Sequence, residues 1–172
     1  MSLFHSPLRR RLLAALAIGA TVAGCGFQLR GPLPMPFDTI YLGVGEFSNI
    51  KAALQRRIEA NGHTKVMDDP AKAEVHLDVL LDKQSKEISA INASGRVSEY
   101  HLTRDYVFRL MGKDGRLWIP RAEVKVQRTL PFNDSDVLAK DQEEALLRSD
   151  MEADVVRQIM WRLSSAKAPA QR

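Results

Sequence analysis

The chain has 172 residues, 25 Lys and Arg against 21 Asp and Glu, and one cysteine, Cys25. One thiol excludes an intrachain disulfide and any metal centre built from several thiolates. The formal charge of +4 sits mostly at the front: residues 1–24 hold three of the basic residues and none of the acidic ones. The remainder of the chain is close to neutral, so charge gives no reason to expect nucleic acid as a partner.

Arg9, Arg10 and Arg11 precede an apolar run from Leu12 to Ala23, interrupted by Gly19 and Thr21. A basic start followed by an apolar core of this length is the pattern of an export signal. The run is about a dozen residues where a membrane-spanning helix needs about 20, which disfavours a permanent span. The run ends in Val22-Ala23-Gly24-Cys25, which resembles the lipobox of bacterial lipoproteins. That resemblance implies cleavage before Cys25 and attachment of lipid, palmitate included, to that cysteine. A buried apolar helix with an incidental thiol is the plainer alternative, but the run has no amphipathic period. Gly26, rather than Asp, follows the cysteine, which by the same resemblance points to the outer membrane. Several acyl chains on Cys25 anchor stably, since each buried methylene adds about 0.8 kcal/mol.

The expected layout is a removed signal peptide at 1–24, a lipidated tether at 25–36, a single domain at 37–164 and a loose tail at 165–172. Pro32, Pro34 and Pro36 forbid helix in the tether and favour an extended path. Phe27 and Leu29 within it are equally able to pack on the domain. Asp38 to Val44 reads as a strand around its Thr-Ile-Tyr-Leu centre. Ser48 is placed to cap a helix over Asn49–Ala60, in which Ile50, Ala53, Leu54 and Ile58 share a face and which Asn61-Gly62 ends.

A second strand runs from about Glu74 to Ser85, with Val75, Leu77, Val79 and Leu81 on one face and His76, Asp78, Leu80 and Asp82 on the other. Strand, helix and strand at this spacing predict a right-handed crossover with the first two strands parallel. Residues 88–95 read as a polar turn or loop. Val97 to Met111 alternates again, with Tyr100, Leu102, Tyr106, Phe108 and Leu110 on one face. Gly112-Lys113-Asp114-Gly115 marks a hairpin. The return strand is Arg116 to Leu130, where Pro120 suggests a bulge or an edge.

The polar cluster Asn133 to Asp136 precedes the longest helical period, Val137 to about Leu163. Leu147, Met151, Val155, Ile159 and Leu163 form its stripe, widened by Leu146, Ala153, Val156 and Met160. The elements sum to an α+β, two-layer α/β sandwich: two helices on one face of a four-stranded mixed sheet in the order β-α-β-β-β-α.

Groups for catalysis are few. His76 and Asp78 share a strand face, but a third ligand at a fixed spacing is lacking, so no metal is expected. Glu143 and Glu144 diverge around their helix and read as a solvated face. No phosphate loop, HExxH or GxSxG occurs, so neither an enzyme nor a cofactor is expected, apart from the lipid on Cys25. Lys83, Lys86 and Arg96 near the second turn, with Lys140 at the start of the long helix, are candidates for binding phosphate groups. Ordinary surface charge is the plainer reading, because Asp82, Glu87 and Asp141 are interspersed.

The lipobox followed by Gly-Phe-Gln-Leu-Arg-Gly, the Ser-Glu-Tyr-His-Leu at 98–102 and the segment 137–151 together resemble the LptE family of lipopolysaccharide-assembly lipoproteins. The resemblance implies a lipid-anchored protein of the outer membrane that plugs the β-barrel LptD and assists barrel assembly and delivery of lipopolysaccharide. It implies no bond-making activity, and it marks Arg96 and Lys140 as candidate contacts to lipopolysaccharide phosphates. The alternative is a periplasm-facing lipoprotein that binds peptidoglycan or scaffolds another envelope complex.

Overall fold

Apolar side chains at every second position of two long stretches build the centre of a sheet, and two amphipathic helices close over one of its faces. A computed structural model of the chain describes residues 34–46, 48–133 and 136–169. Cys25, the leader and residues 26–33 of the tether, with Phe27 and Leu29, lie outside the described residues, as do residues 170–172 of the tail. Strand β1 is Thr39–Gly43, helix α1 Asn49–Ala60, β2 Lys65–Met67, β3 Val75–Ile91, β4 Val97–Gly112, β5 Leu117–Pro131 and helix α2 Val137–Ser164, with a 3-10 turn at Pro70–Lys72.

The sheet has five strands, ordered β2-β1-β3-β4-β5, where four were expected. The extra one is β2, whose three residues are too few to show an alternation. β1 pairs in parallel with β2, Ile40 lying opposite Val66, and in parallel with β3, Leu42 lying opposite Leu77. The expected parallel pairing of β1 with the strand at 75 is therefore present, although the strand that follows α1 is β2. β3, β4 and β5 form an antiparallel meander.

β3 also runs further than its sequence suggests. It continues to Ile91, so residues 88–91 are strand where a turn was expected. The turn that remains is held by the Asn92 side chain, whose Oδ1 accepts from the amides of Ser94 and Arg96 at 3.0 Å. Gly95 supplies the positive φ of 75° that the reversal needs.

A register shift between Val79 and Leu81 changes which side chains of β3 face the helices. Val79 lies opposite Phe108, but Leu81 lies opposite Val107 and Asp82 opposite Tyr106. One extra residue in a period of two inverts the faces. Leu81 is consequently on the open side of the sheet, 42% exposed, and Asp82 is on the helix side, the reverse of the simple alternation.

The core lies between the helices and the sheet. Ile50, Leu54 and Ile58 of α1 are fully buried against Ile40 and Leu42 of β1 and Val75 and Leu77 of β3. Each such side chain contributes about 1.5–3 kcal/mol when removed from water. Ser48 stands at the α1 N-cap, yet its hydroxyl makes no capping bond; its carbonyl accepts from the Ala52 amide. Gly62, at φ 74°, ends the helix, while Asn61 stays in the right-handed region.

α2 has 28 residues, about 42 Å at 1.5 Å per residue. Met151, Val155, Ile159 and Leu163 are buried as a stripe, whereas Leu146 is 69% exposed and does not widen it. The first third of α2 thus extends past the apolar core, alongside the far half of the β3–β4 hairpin. Asp136 at its N-cap makes no side-chain capping bond.

Candidate functional site

Where α2 outruns the apolar core, its contacts with the hairpin become ionic. Lys86, on the helix side of β3, donates to Glu144 of α2 at 2.6 Å and lies 4.4 Å from the centre of the Tyr100 ring. Arg148, one helical turn on, donates to Glu144 at 2.8 Å through Nε and to Gln84 of β3 at 2.8 Å through Nη1. Lys140 donates to Glu143 at 2.7 Å. The pair expected to be a solvated face therefore contains the hub of a network. Burial pushes the Glu144 carboxyl up, but its hydrogen bonds and charge contacts with Lys86 and Arg148 outweigh that and hold it below the usual carboxylate range.

The four basic candidates do not converge. Lys86 and Lys140 meet adjacent residues of α2. Lys83 pairs in register with Asp105, on the sheet face turned away from the helices. Arg96 closes the β3–β4 turn, its amide held by Asn92. An anionic ligand reaches Lys86 or Lys140 only in competition with Glu144 or Glu143, because each ammonium already donates to a carboxylate.

A deeper ionic cluster was not anticipated from the sequence. Arg104 of β4 is 5% exposed and donates to both oxygens of Asp82, at 3.0 and 2.8 Å, and to Glu152 of α2 at 2.8 Å. It ties β3, β4 and α2 together under the helix. The parity series Leu102, Tyr106, Phe108 already places residue 104 on the helix side, so a signal was available. Beside it, burial pushes the Tyr106 hydroxyl well above its ordinary range; Asp82 adds to the shift and Arg104 opposes it. On the β5 side, Asp154 of α2 binds Arg128 and Arg157.

The other candidates have ordinary partners. His76 Nε2 lies 2.8 Å from the Pro70 carbonyl oxygen, and its ring stands edge-on to Tyr41 at 5.8 Å. Asp78 accepts from Arg109 at 3.0 Å. Among the described residues no group of three or more His, Cys, Asp or Glu gathers to hold a metal ion. No described helix is long and apolar enough to cross a membrane as a helix.

These features define an α+β domain whose helical layer is pinned to a long hairpin by charge, with its other sheet face open. The chain belongs to the LptE lipopolysaccharide-assembly family, whose model matches residues 37–163. It is 26% identical over 155 residues to the LPS-assembly lipoprotein LptE of Photorhabdus laumondii, covering 88% of this chain and 83% of that protein. The LPS-assembly lipoprotein LptE of Pectobacterium atrosepticum is 28% identical over 163 residues, with 90% and 86% covered. Among solved structures, a lipoprotein B from Nitrosomonas europaea superposes with a TM-score of 0.71 at 31% identity, covering 81% of this chain and 91% of that one.

Proposed function

We propose that the protein is a non-enzymatic lipopolysaccharide-assembly lipoprotein, anchored in the outer membrane by lipid on Cys25 and acting as a plug inside the β-barrel LptD. The family match over residues 37–163 carries this reading, because it spans both helices and all five strands. The same reading divides the chain into a signal peptide at 1–24, a tether at 25–36 that gives the domain reach, a working domain at 37–164 and a tail at 165–172, whose Ala166 is buried against the core rather than loose.

The open sheet face supports the same reading. It carries Lys83, Asp105 and Lys125 beside Thr103 and Gln127, a polar set with charges of both signs suited to hydrogen-bond with the polar wall of a barrel lumen. Lipid on Cys25 raises the effective concentration of the domain beside the barrel. Lipopolysaccharide phosphates are met at the hairpin end of the molecule, by Arg96 at the turn and by Lys86 and Lys140 through exchange of their carboxylates. Lys83 faces away from this end's helical layer and contributes through general charge.

Depletion of the protein from growing cells tests the role. Lipopolysaccharide at the cell surface, measured by labelling intact cells, is expected to fall while its synthesis continues. Undiminished surface lipopolysaccharide after depletion contradicts the proposal.

A further inference from the structure

Away from the hairpin end, α1 and α2 leave a cleft of about 370 Å³ between them. Its base includes Ile50 and Val156, both buried, and its sides carry small residues from both helices, Ala53 and Ala153 among them. Short side chains on both flanks leave space for the backbone of a third element. Its polar lining includes two cations. Arg56 and Arg57 line the cleft, both are exposed, and neither has an ion-pair or hydrogen-bond partner among the described residues. The Ser149 hydroxyl at the opposite wall is likewise unengaged. The one carboxylate in the lining, Glu152, is held by Arg104.

We propose that this cleft docks an acidic, amphipathic segment of a partner protein. Two neighbouring guanidinium groups suit carboxylates, which they bind in a two-pronged fashion, and the apolar base takes the segment's hydrophobic side. The space is in the range of ordinary ligand sites, about 300–1,000 Å³, and its lining comes wholly from the two helices. The site shares no residue with Arg96, Lys83, Lys86 or Lys140, so it stands apart from the lipopolysaccharide reading.

Fluorescence anisotropy of a short fluorescein-labelled helix of Glu, Ala and Leu, titrated with the full-length protein in non-ionic detergent, tests the proposal. Saturable binding is expected, weakened about tenfold or more in Arg56→Glu/Arg57→Glu but unchanged in Arg121→Glu, an exposed cation on β5. Arg56→Gln/Arg57→Gln serves if the charge reversal alters the CD spectrum. Absence of saturable binding, or equal weakening by Arg121→Glu, overturns the proposal. Displacement of the peptide by inorganic phosphate at low concentration also overturns it, by showing a simple anion pocket.

Discussion

Arg104 is the residue on which the charge architecture turns. Its guanidinium is almost wholly buried, while its partners Asp82 and Glu152 keep 32% and 24% of their side-chain surface. Removing one member of a buried pair costs about 3–5 kcal/mol when the survivor is sealed from water. Here both carboxylates retain access to solvent, so Arg104→Ala is expected to cost about 2–3 kcal/mol, read as a lower urea midpoint at unchanged slope. A loss below about 0.5 kcal/mol would mean that the cluster behaves like surface charge. Arg104 was hard to single out because alternation says which face a residue occupies, not whether a charge there finds partners. Those partners arrive from positions 22 and 48 residues away.

At the scale of elements, the sequence was most informative where one side of a segment meets the core and the other meets water. α1 occupies the predicted span Asn49–Ala60, and the β4–β5 hairpin turns at the predicted Gly112–Gly115. β2 was invisible because three residues carry no periodicity. The end of β3 looked like a loop because its residues 86–91 project where much of both faces is wet, so nothing enforces alternation. The inversion at Leu80 was hidden because a bulge adds one residue without any obligatory sequence mark. The β4–β5 turn offers a direct test of local geometry. Gly115 has φ 78° with open space around its Cβ position, so a side chain there meets backbone strain rather than a clash. Gly115→Val is expected to destabilise by about 1–2 kcal/mol, seen as a lower thermal midpoint with native CD at room temperature. An unchanged midpoint would show that the turn relaxes to another conformation at little cost.

For the whole molecule, anchor and fold are expected to be separable. Among the described residues, the core is built almost wholly from helix and strand side chains within 37–164, with Ala166 at its edge and Met35 packed against it. Cys25→Ala protein is therefore expected to keep its native CD spectrum and to lose membrane association on fractionation. Loss of the spectrum would show that the lipid contributes to folding as well as to encounter. Family membership was legible because the match spans the whole domain in order. The contact surface was less so: of the charges that read as phosphate ligands in one dimension, Lys86 bridges the hairpin to α2 and Lys140 pairs with Glu143 within α2, while Lys83 and Arg96 lie elsewhere.

The most direct test of the plug assignment is affinity purification of the full-length protein from detergent-solubilised outer membranes, with the stoichiometry of co-purifying proteins determined. A one-to-one complex with a large β-barrel is the predicted result. Recovery of the protein alone, or with cell-wall components and no barrel, would contradict it.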